Sequence, residues 1–153
     1  MKKQFCLILF GLLCGGRAFA CSCVPASVSD HFERATYVFT AVIAETSRPL
    51  VSEVYEEIQG LELPESLRNL RMLRGSIRLV SRFKGDASLE AVYTQLSPSM
   101  CGISLVQGEE YLFFASDRGV VGLCGGNVAR SSPSFAEVVG DVRRLRSSLA
   151  PEE

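Results

Sequence analysis

Residues 21–25 read Cys21-Ser22-Cys23-Val24-Pro25, and they directly follow a stretch with the features of an export leader. Lys2 and Lys3 form a charged start, residues 5–13 are apolar, and residues 18–20 (Ala-Phe-Ala) form a small-x-small cleavage site. Cleavage after this site would make Cys21 the first residue of the mature chain. Such a cysteine has a free α-amino group beside its own carbonyl, and a disulfide through its side chain would pin both. A pinned amine and carbonyl can chelate a metal that another protein holds.

Length and charge limit the classes of protein that this chain can represent. Cleavage of the predicted signal peptide, residues 1–20, leaves 133 of the 153 residues, which suits one domain over residues 21–150. The mature chain would have 13 basic against 17 acidic residues, because the leader holds three of the sixteen basic residues and no acidic ones. This balance argues against nucleic acid as a partner, since nucleic acid calls for a basic face.

The apolar stretch of the leader is too short to span a bilayer, and no other segment is long and apolar enough. We therefore expect an exported protein, extracellular or periplasmic, with no transmembrane segment in the mature chain. We also expect a monomer.

Four cysteines remain after cleavage: Cys21, Cys23, Cys101 and Cys124. An even number of cysteines in an exported chain indicates disulfides. A bond between Cys21 and Cys23 would close a very tight, strained ring, and the other two pairings both tie the N-terminus to distant segments. Each of those bonds would close a loop of roughly 80–100 residues, worth about 4–5 kcal/mol in the chain-entropy model. On the cysteines alone, simple staples of a small exported domain are the more frequent explanation.

Hydrophobic patterning predicts at least five strands and one clear C-terminal helix. The elements expected in chain order are a short helix at 27–35, strands at 36–44, 77–83 and 89–96, a hairpin of 110–116 with 119–123, and a helix at 135–149. The stretch from Glu45 to Arg71 reads mainly as a long excursion between strands, with a short helix after Pro64. This order predicts a mainly β fold, a small closed or nearly closed barrel with a C-terminal α-helix.

The segment Cys21-Ser22-Cys23-Val24-Pro25 resembles the start of the inhibitory domain of the tissue inhibitors of metalloproteinases, whose mature chains begin with Cys-x-Cys, commonly followed by Val-Pro. The similarity covers most of residues 21–127, and the further matching places are Phe83-Lys84-Gly85, Val92-Tyr93-Thr94, Cys101-Gly102, residues 109–113 and Cys124. Cys-x-Cys alone is a weak signal. Its position directly after a leader, with two more cysteines at compatible distances, is a much stronger one.

The resemblance implies an OB-fold-like, five-stranded β-barrel of the netrin-like type, held by the disulfides Cys21–Cys101 and Cys23–Cys124. It also implies that the amine and carbonyl of Cys21 chelate the catalytic zinc of a metalloprotease, at the position that such sites keep open for water. The inhibitor would need no cofactor of its own, because the only metal involved is the zinc of its target. The leader is bacterial in style, and one predicted helix ends the sequence, so we expect a bacterial, single-domain member of the family.

The same resemblance implies a set of contacts in the protease cleft. Ser22 would enter the specificity pocket beside the zinc, and Cys23, Val24 and Pro25 would continue along the cleft in the manner of a substrate. Ser99 and Met100, held beside Cys21 by its disulfide, would lie in the cleft on the other side of the zinc.

The chain departs from the family pattern in three ways. The family's N-terminal domain has a third disulfide, for which the mature chain has no cysteines. Vertebrate members have a second, cysteine-rich domain, whereas this sequence ends after one predicted helix with Pro151-Glu152-Glu153. The excursion from Glu45 to Arg71 has no match in the family, where this loop contributes to the choice of target. The target protease therefore does not follow from the resemblance.

Two other functions compete with inhibition. A non-inhibitory netrin-like binding module of the cell envelope would not need a free amine on Cys21. A lipoprotein would have an acylated amine and a thioether on the Cys21 sulfur, but Ala18 and Phe19 fit a lipobox poorly. We find no nucleophile–base pair, phosphate loop or paired acidic motif that indicates an enzyme. The lone histidine, His31, is more often a surface or capping residue than a metal ligand.

Overall fold

The structure, a computed structural model, describes residues 21–149 apart from 59–64, 66–68 and 87–88. The predicted leader, residues 1–20, lies outside the described residues. The elements are α1 (Val28–Arg34), β1 (Tyr37–Ser47), α2 (Val51–Ile58), β2 (Met72–Lys84), β3 (Ala91–Gln95), β4 (Glu110–Ala115), β5 (Val128–Ala129) and α3 (Phe135–Leu149). Two short 3-10 turns, Pro98–Met100 and Leu123–Gly125, complete the described elements.

The five strands form one antiparallel sheet in the order β3-β2-β1-β4-β5. The pairing of β1 with β2 shifts register at three places, and such bulges increase the local twist of a strand. After β4 the chain crosses to β3, where Val120 bridges Tyr93 in parallel. The sheet therefore curls into a half-barrel, which confirms the predicted mainly β, OB-fold-like architecture with a C-terminal helix.

The core lies on both sides of the central strands. Phe39, Ile43 and Phe113 pack inside the curled sheet and are fully buried. On the outer side, Leu112 of β4 packs with Phe32 of α1 and with residues of α3. Because helices cover the outer side, β1 and β4 read as nearly continuous apolar runs rather than alternating ones. Each fully buried side chain of this size contributes roughly 1.5–3 kcal/mol to stability.

The predicted hairpin after β4 is wrong in its pairing, although the turn at Asp117-Arg118 is present. The backbone N–H of Tyr93 donates to Gly119 at 3.0 Å, and Val121 donates back to Tyr93 at 2.8 Å, so residues 119–121 join β3. The described partner of β4 on that side is the short β5. Turn residues and alternation are local signals, and they do not show which edge a segment will reach.

The predicted excursion from Glu45 to Arg71 is more ordered at its ends than expected. β1 continues to Ser47, and β2 already begins at Met72, five residues before the predicted start. The helix α2 forms where none was predicted, and its Val54 is buried among residues of β2 and β3. The short helix expected after Pro64 falls largely on residues 66–68, outside the described part.

Candidate functional site

Two disulfides fasten the N-terminal segment to the barrel. Cys21 is bonded to Cys101 with a Cα–Cα distance of 5.5 Å, and Cys23 to Cys124 with a distance of 5.2 Å. These are the two bonds that the resemblance implies. Residues 21–25 adopt neither helix nor strand, so the disulfides and the following helix α1 determine their position. Val24 is 86% exposed, and its neighbours Ser22 and Pro25 are exposed as well.

The loop that holds Cys101 is a tight turn. The backbone N–H groups of Met100 and Gly102 both donate to the carbonyl of Ser97 at 3.0 Å. Cys101 has a φ of 65°, in the left-handed region that non-glycine residues seldom adopt. A Cβ on Gly102 would lie 2.1 Å from the carbonyl oxygen of Gln95, so only glycine fits there. The close approach to β3 thus determines where the loop presents its side chains.

Thr94 is the last residue of the Val92-Tyr93-Thr94 motif, which precedes the Cys101 loop, and it fastens that loop to β3. Its side chain is 1% exposed, and its Oγ1 accepts a hydrogen bond from the N–H of Ile103 at 3.1 Å. The chain is therefore fastened to β3 on the far side of Gly102. Tyr93, next to it, pairs with residues 119 and 121, as described above. The Val-Tyr-Thr sequence connects the strand to both segments that carry the partner cysteines.

The segment around Cys124 is joined directly to the Cys101 loop, because the N–H of Leu123 donates to the carbonyl of Cys101 at 2.8 Å. Leu123 is 43% exposed. Gly126, with a φ of 76°, packs against His31, and a Cβ there would lie 2.5 Å from the ring. His31 is thus a packing residue. No group of three or more His, Cys, Asp or Glu side chains in the described part of the chain could hold a metal ion.

These three segments, residues 21–25, 97–101 and 122–124, form one surface that we call the N-terminal ridge. Ser99 and Met100 are exposed, and the Sγ of Cys21 lies 3.9 Å from the carbonyl oxygen of Ser99. All seven residues predicted to contact a protease are therefore brought onto this ridge: Cys21, Ser22, Cys23, Val24, Pro25, Ser99 and Met100. Leu123 was not predicted, because the backbone hydrogen bond from Leu123 to Cys101 that brings it there has no signal in the sequence.

The ridge contains no charged side chain. Its four cysteines are oxidised, so none can act as a thiolate ligand or nucleophile. The ridge can therefore offer a partner only small hydroxyls, apolar side chains and main-chain atoms. This composition does not support acid–base chemistry.

The base of the excursion lies at the same end of β3 as the ridge. Met72 pairs with Gln95, the last residue of β3 before the Cys101 loop. Leu70 and Leu96 flank this pair, and their side chains are 42% and 37% exposed. Residues at the start of β2 thus adjoin the ridge and extend its apolar surface.

The family model for tissue inhibitor of metalloproteinase matches residues 19–127, which include the whole ridge. The chain belongs to this family. Members of the tissue inhibitor of metalloproteinase family are inhibitors rather than enzymes. The matched range contains the four strands β1 to β4 and both disulfides, while β5 and α3 lie beyond it.

Two curated relatives of this family member illustrate the similarity. Metalloproteinase inhibitor 2 of Bos taurus is 30% identical over 122 residues, which are 78% of this chain and 50% of the relative. Metalloproteinase inhibitor 4 of Mus musculus is 29% identical over 90 residues, which are 59% of this chain and 37% of the relative. The chain thus spans half or less of the length of these relatives. No helix among the described residues is long and apolar enough to cross a membrane.

Proposed function

We propose that this protein inhibits zinc metalloproteases by chelating their catalytic zinc through the α-amino nitrogen and carbonyl oxygen of Cys21. The observation that carries the proposal is the disulfide from Cys21 to Cys101, which pins this residue within an exposed, uncharged ridge. Membership of a family of metalloproteinase inhibitors supports the same function. The proposal requires export and cleavage after Ala20, because only cleavage produces the free amine.

Zinc chemistry agrees with this arrangement. Catalytic zinc sites keep one position for water, and an amine can take that position. An α-amine has an unperturbed pKa of about 8, so a large part is protonated at neutral pH and cannot bind. The zinc favours the neutral form and lowers the effective cost of losing the proton. Since the disulfides already order the terminus, little conformational entropy is lost when it binds.

The exposed side chains of the ridge have assigned places in this complex. Ser22 enters the specificity pocket beside the zinc, and Cys23, Val24 and Pro25 follow along the cleft. Ser99 and Met100 occupy the cleft on the other side of the zinc. These positions are supported by the exposure of the side chains and by the bond between Cys21 and Cys101, which holds the two segments together. The inhibitor acts as a monomer outside the cytoplasm, without a cofactor and without nucleic acid.

The experiment that tests the proposal compares three forms of the protein against a panel of zinc metalloproteases. They are the processed form that begins at Cys21, a form that retains Ala20, and an acetylated form. The extra residue or acetyl group turns the amine into an amide, which is a poor zinc ligand. We expect affinity to fall at least roughly a thousandfold, about 4 kcal/mol. Thermal melting should be nearly unchanged, because the N-terminal segment is exposed.

The outcomes separate the possible functions. Equal inhibition by all three forms would exclude chelation through the amine. No inhibition by the processed form would contradict the proposal and indicate a non-inhibitory binding module. Mass spectrometry of the mature terminus provides the control, because a lipid on Cys21 would show that the amine is blocked in the natural protein.

A further inference from the structure

A crevice of about 790 Å³ lies between the end of β2, the end of α1 and the second half of α3. Arg82 and Lys84 line it from β2, and Arg143 and Arg146 line it from α3. Its lining includes no carboxylate among the described residues. These four cations lie outside the N-terminal ridge, so the crevice is a separate feature of the molecule.

Two of these cations, Lys84 and Arg146, donate to backbone carbonyl oxygens rather than to carboxylates. Lys84 Nζ donates to the carbonyl oxygens of Phe32 and Glu33, at 2.7 and 2.9 Å. Arg146 donates to the carbonyl of Arg82 at 3.0 Å. Carbonyl oxygens accept hydrogen bonds but do not neutralise a cation. Arg82 is paired with Asp86, whose side chain is 99% exposed, so Arg82 is not one of the cations on which the inference depends.

Arg143 differs from the other three cations. Its guanidinium has no hydrogen bond or ion pair with any side chain in the described ranges, so its donors are available to a ligand. Arg144, the next residue on α3, forms an ion pair with Asp141 and does not line the crevice. The two neighbouring arginines therefore provide a natural comparison on one helix.

General features of the chain do not account for this concentration of positive charge. The whole chain has a formal net charge of −1, so the cluster does not follow from a basic composition. Basic residues are favoured in the last turn of a helix, which accounts for Arg146. That effect does not account for Arg82 and Lys84, which approach from a strand on the opposite wall. Cations that line one crevice repel one another, and an anion bound among them would offset that repulsion.

We infer that this crevice binds an oxyanion of the phosphate or sulfate class. A guanidinium offers a planar fork of donors that matches two oxygens of such a group, and Arg143 has its fork available. Ser81 lies on the β2 wall and adds a hydroxyl. The lining also includes Phe32 and Phe83, which are both buried. The inference does not depend on protease inhibition, because the ridge is not involved.

The first experiment titrates inorganic phosphate into the purified protein at low ionic strength, followed by calorimetry and by amide chemical shifts. Arg143→Gln should weaken phosphate binding roughly tenfold, since it removes the available fork. Arg143→Lys keeps the charge but not the planar fork, so its phosphate affinity should lie between those of the parent protein and Arg143→Gln. The matched control, Arg144→Gln, should change the affinity less than about twofold, because its charge is already paired. Thermal melting of each variant checks that the fold is retained.

A second experiment distinguishes the source of the phosphate. Vesicles of phosphatidylcholine with phosphatidic acid are compared in cosedimentation with vesicles of phosphatidylcholine alone. If the protein is retained on the acidic vesicles and Arg143→Gln abolishes this retention, the site binds a lipid phosphate. Phosphate binding without such retention would assign it to a soluble phosphate compound. Equal phosphate affinity of Arg143→Gln and Arg144→Gln, or no binding in either experiment, would overturn the inference.

Discussion

Single residues hold the N-terminal ridge in place through contacts that allow no substitute. Gly102 is required because the Gln95 carbonyl leaves no room for a Cβ. Cys101 adopts a left-handed conformation, which costs of order 1–2 kcal/mol outside glycine. The turn hydrogen bonds and the bond to Cys21 maintain this conformation. A small distortion at either position would therefore move Ser99 and Met100 relative to the N-terminus.

At the same scale, Ser22 should decide which proteases are inhibited. Ser22→Gly removes the side chain proposed to enter the specificity pocket and keeps the chelate, so inhibition should weaken and its selectivity should change. Ser22→Arg should exclude targets with short pockets. Inhibition constants against a panel of zinc metalloproteases measure both effects. Ser131→Gly, at an exposed serine outside the ridge, is the control. Unchanged constants for both Ser22 variants would show that Ser22 is not in the pocket.

Among the elements, α1 depends most on its cap. It has seven residues, too few to be stable as an isolated helix. Ser27 and Asp30 form a capping box, in which the Ser27 Oγ accepts from the Asp30 N–H at 3.1 Å and Asp30 accepts from the Ser27 N–H at 2.8 Å. Phe32 anchors the helix in the core, and Lys84 binds its last carbonyls. The helix thus links the cysteines of the ridge to the barrel.

We expect Asp30→Ala to lower the melting temperature at neutral pH. Hydrogen bonds from the side chain and backbone of Ser27 lower the pKa of Asp30 below its usual value of 3.8. A carboxyl with a lowered pKa stabilises the fold above its unfolded-state pKa, and this contribution is lost as pH falls through the folded-state pKa. The difference in melting temperature between variant and parent should therefore shrink in acid. Melting curves between neutral pH and pH about 2 measure this.

The matched control for this prediction is Glu33→Ala, on the same helix but away from the capping box. Glu33→Ala should show nearly the same change of melting temperature with pH as the parent protein. A constant difference between Asp30→Ala and the parent over the whole pH range would contradict the role assigned to the carboxylate.

For the whole molecule, we expect the two disulfides to contribute similarly to the free energy of unfolding and unequally to protease inhibition. They close loops with sequence separations of 80 and 101, so removing either should cost a similar amount, at most about 4–5 kcal/mol. Cys21→Ser with Cys101→Ser frees the residue that carries the chelate, whereas Cys23→Ser with Cys124→Ser leaves it bonded. Urea unfolding should therefore give similar losses, while inhibition should fall much further for the first pair. Similar losses of inhibition would contradict the special role of Cys21.

Several properties of this protein follow from the sequence by itself. The buried strand that became β1 was recognised from its β-branched and aromatic residues, and α3 from the helical spacing of its apolar residues. The leader, Cys-x-Cys and the later cysteines indicated a stapled exported domain and its family. The seven ridge residues follow only from the family resemblance, which assigns them to the protease cleft. Periodicity and cysteine content are encoded locally, so no three-dimensional information was needed.

Tertiary structure alone decided the features that depend on which segments meet. The crossing of residues 119–121 to β3, the extension of β1 to Ser47 and the burial of α2 against the barrel were not predicted. Leu123 lies on the ridge, and Arg143 and Lys84 line the same crevice, although the segments that come together are far apart in the chain. The physical reason is that edge pairing and the approach of a helix to a sheet depend on the free energy of distant contacts. Local patterns contain no record of those contacts.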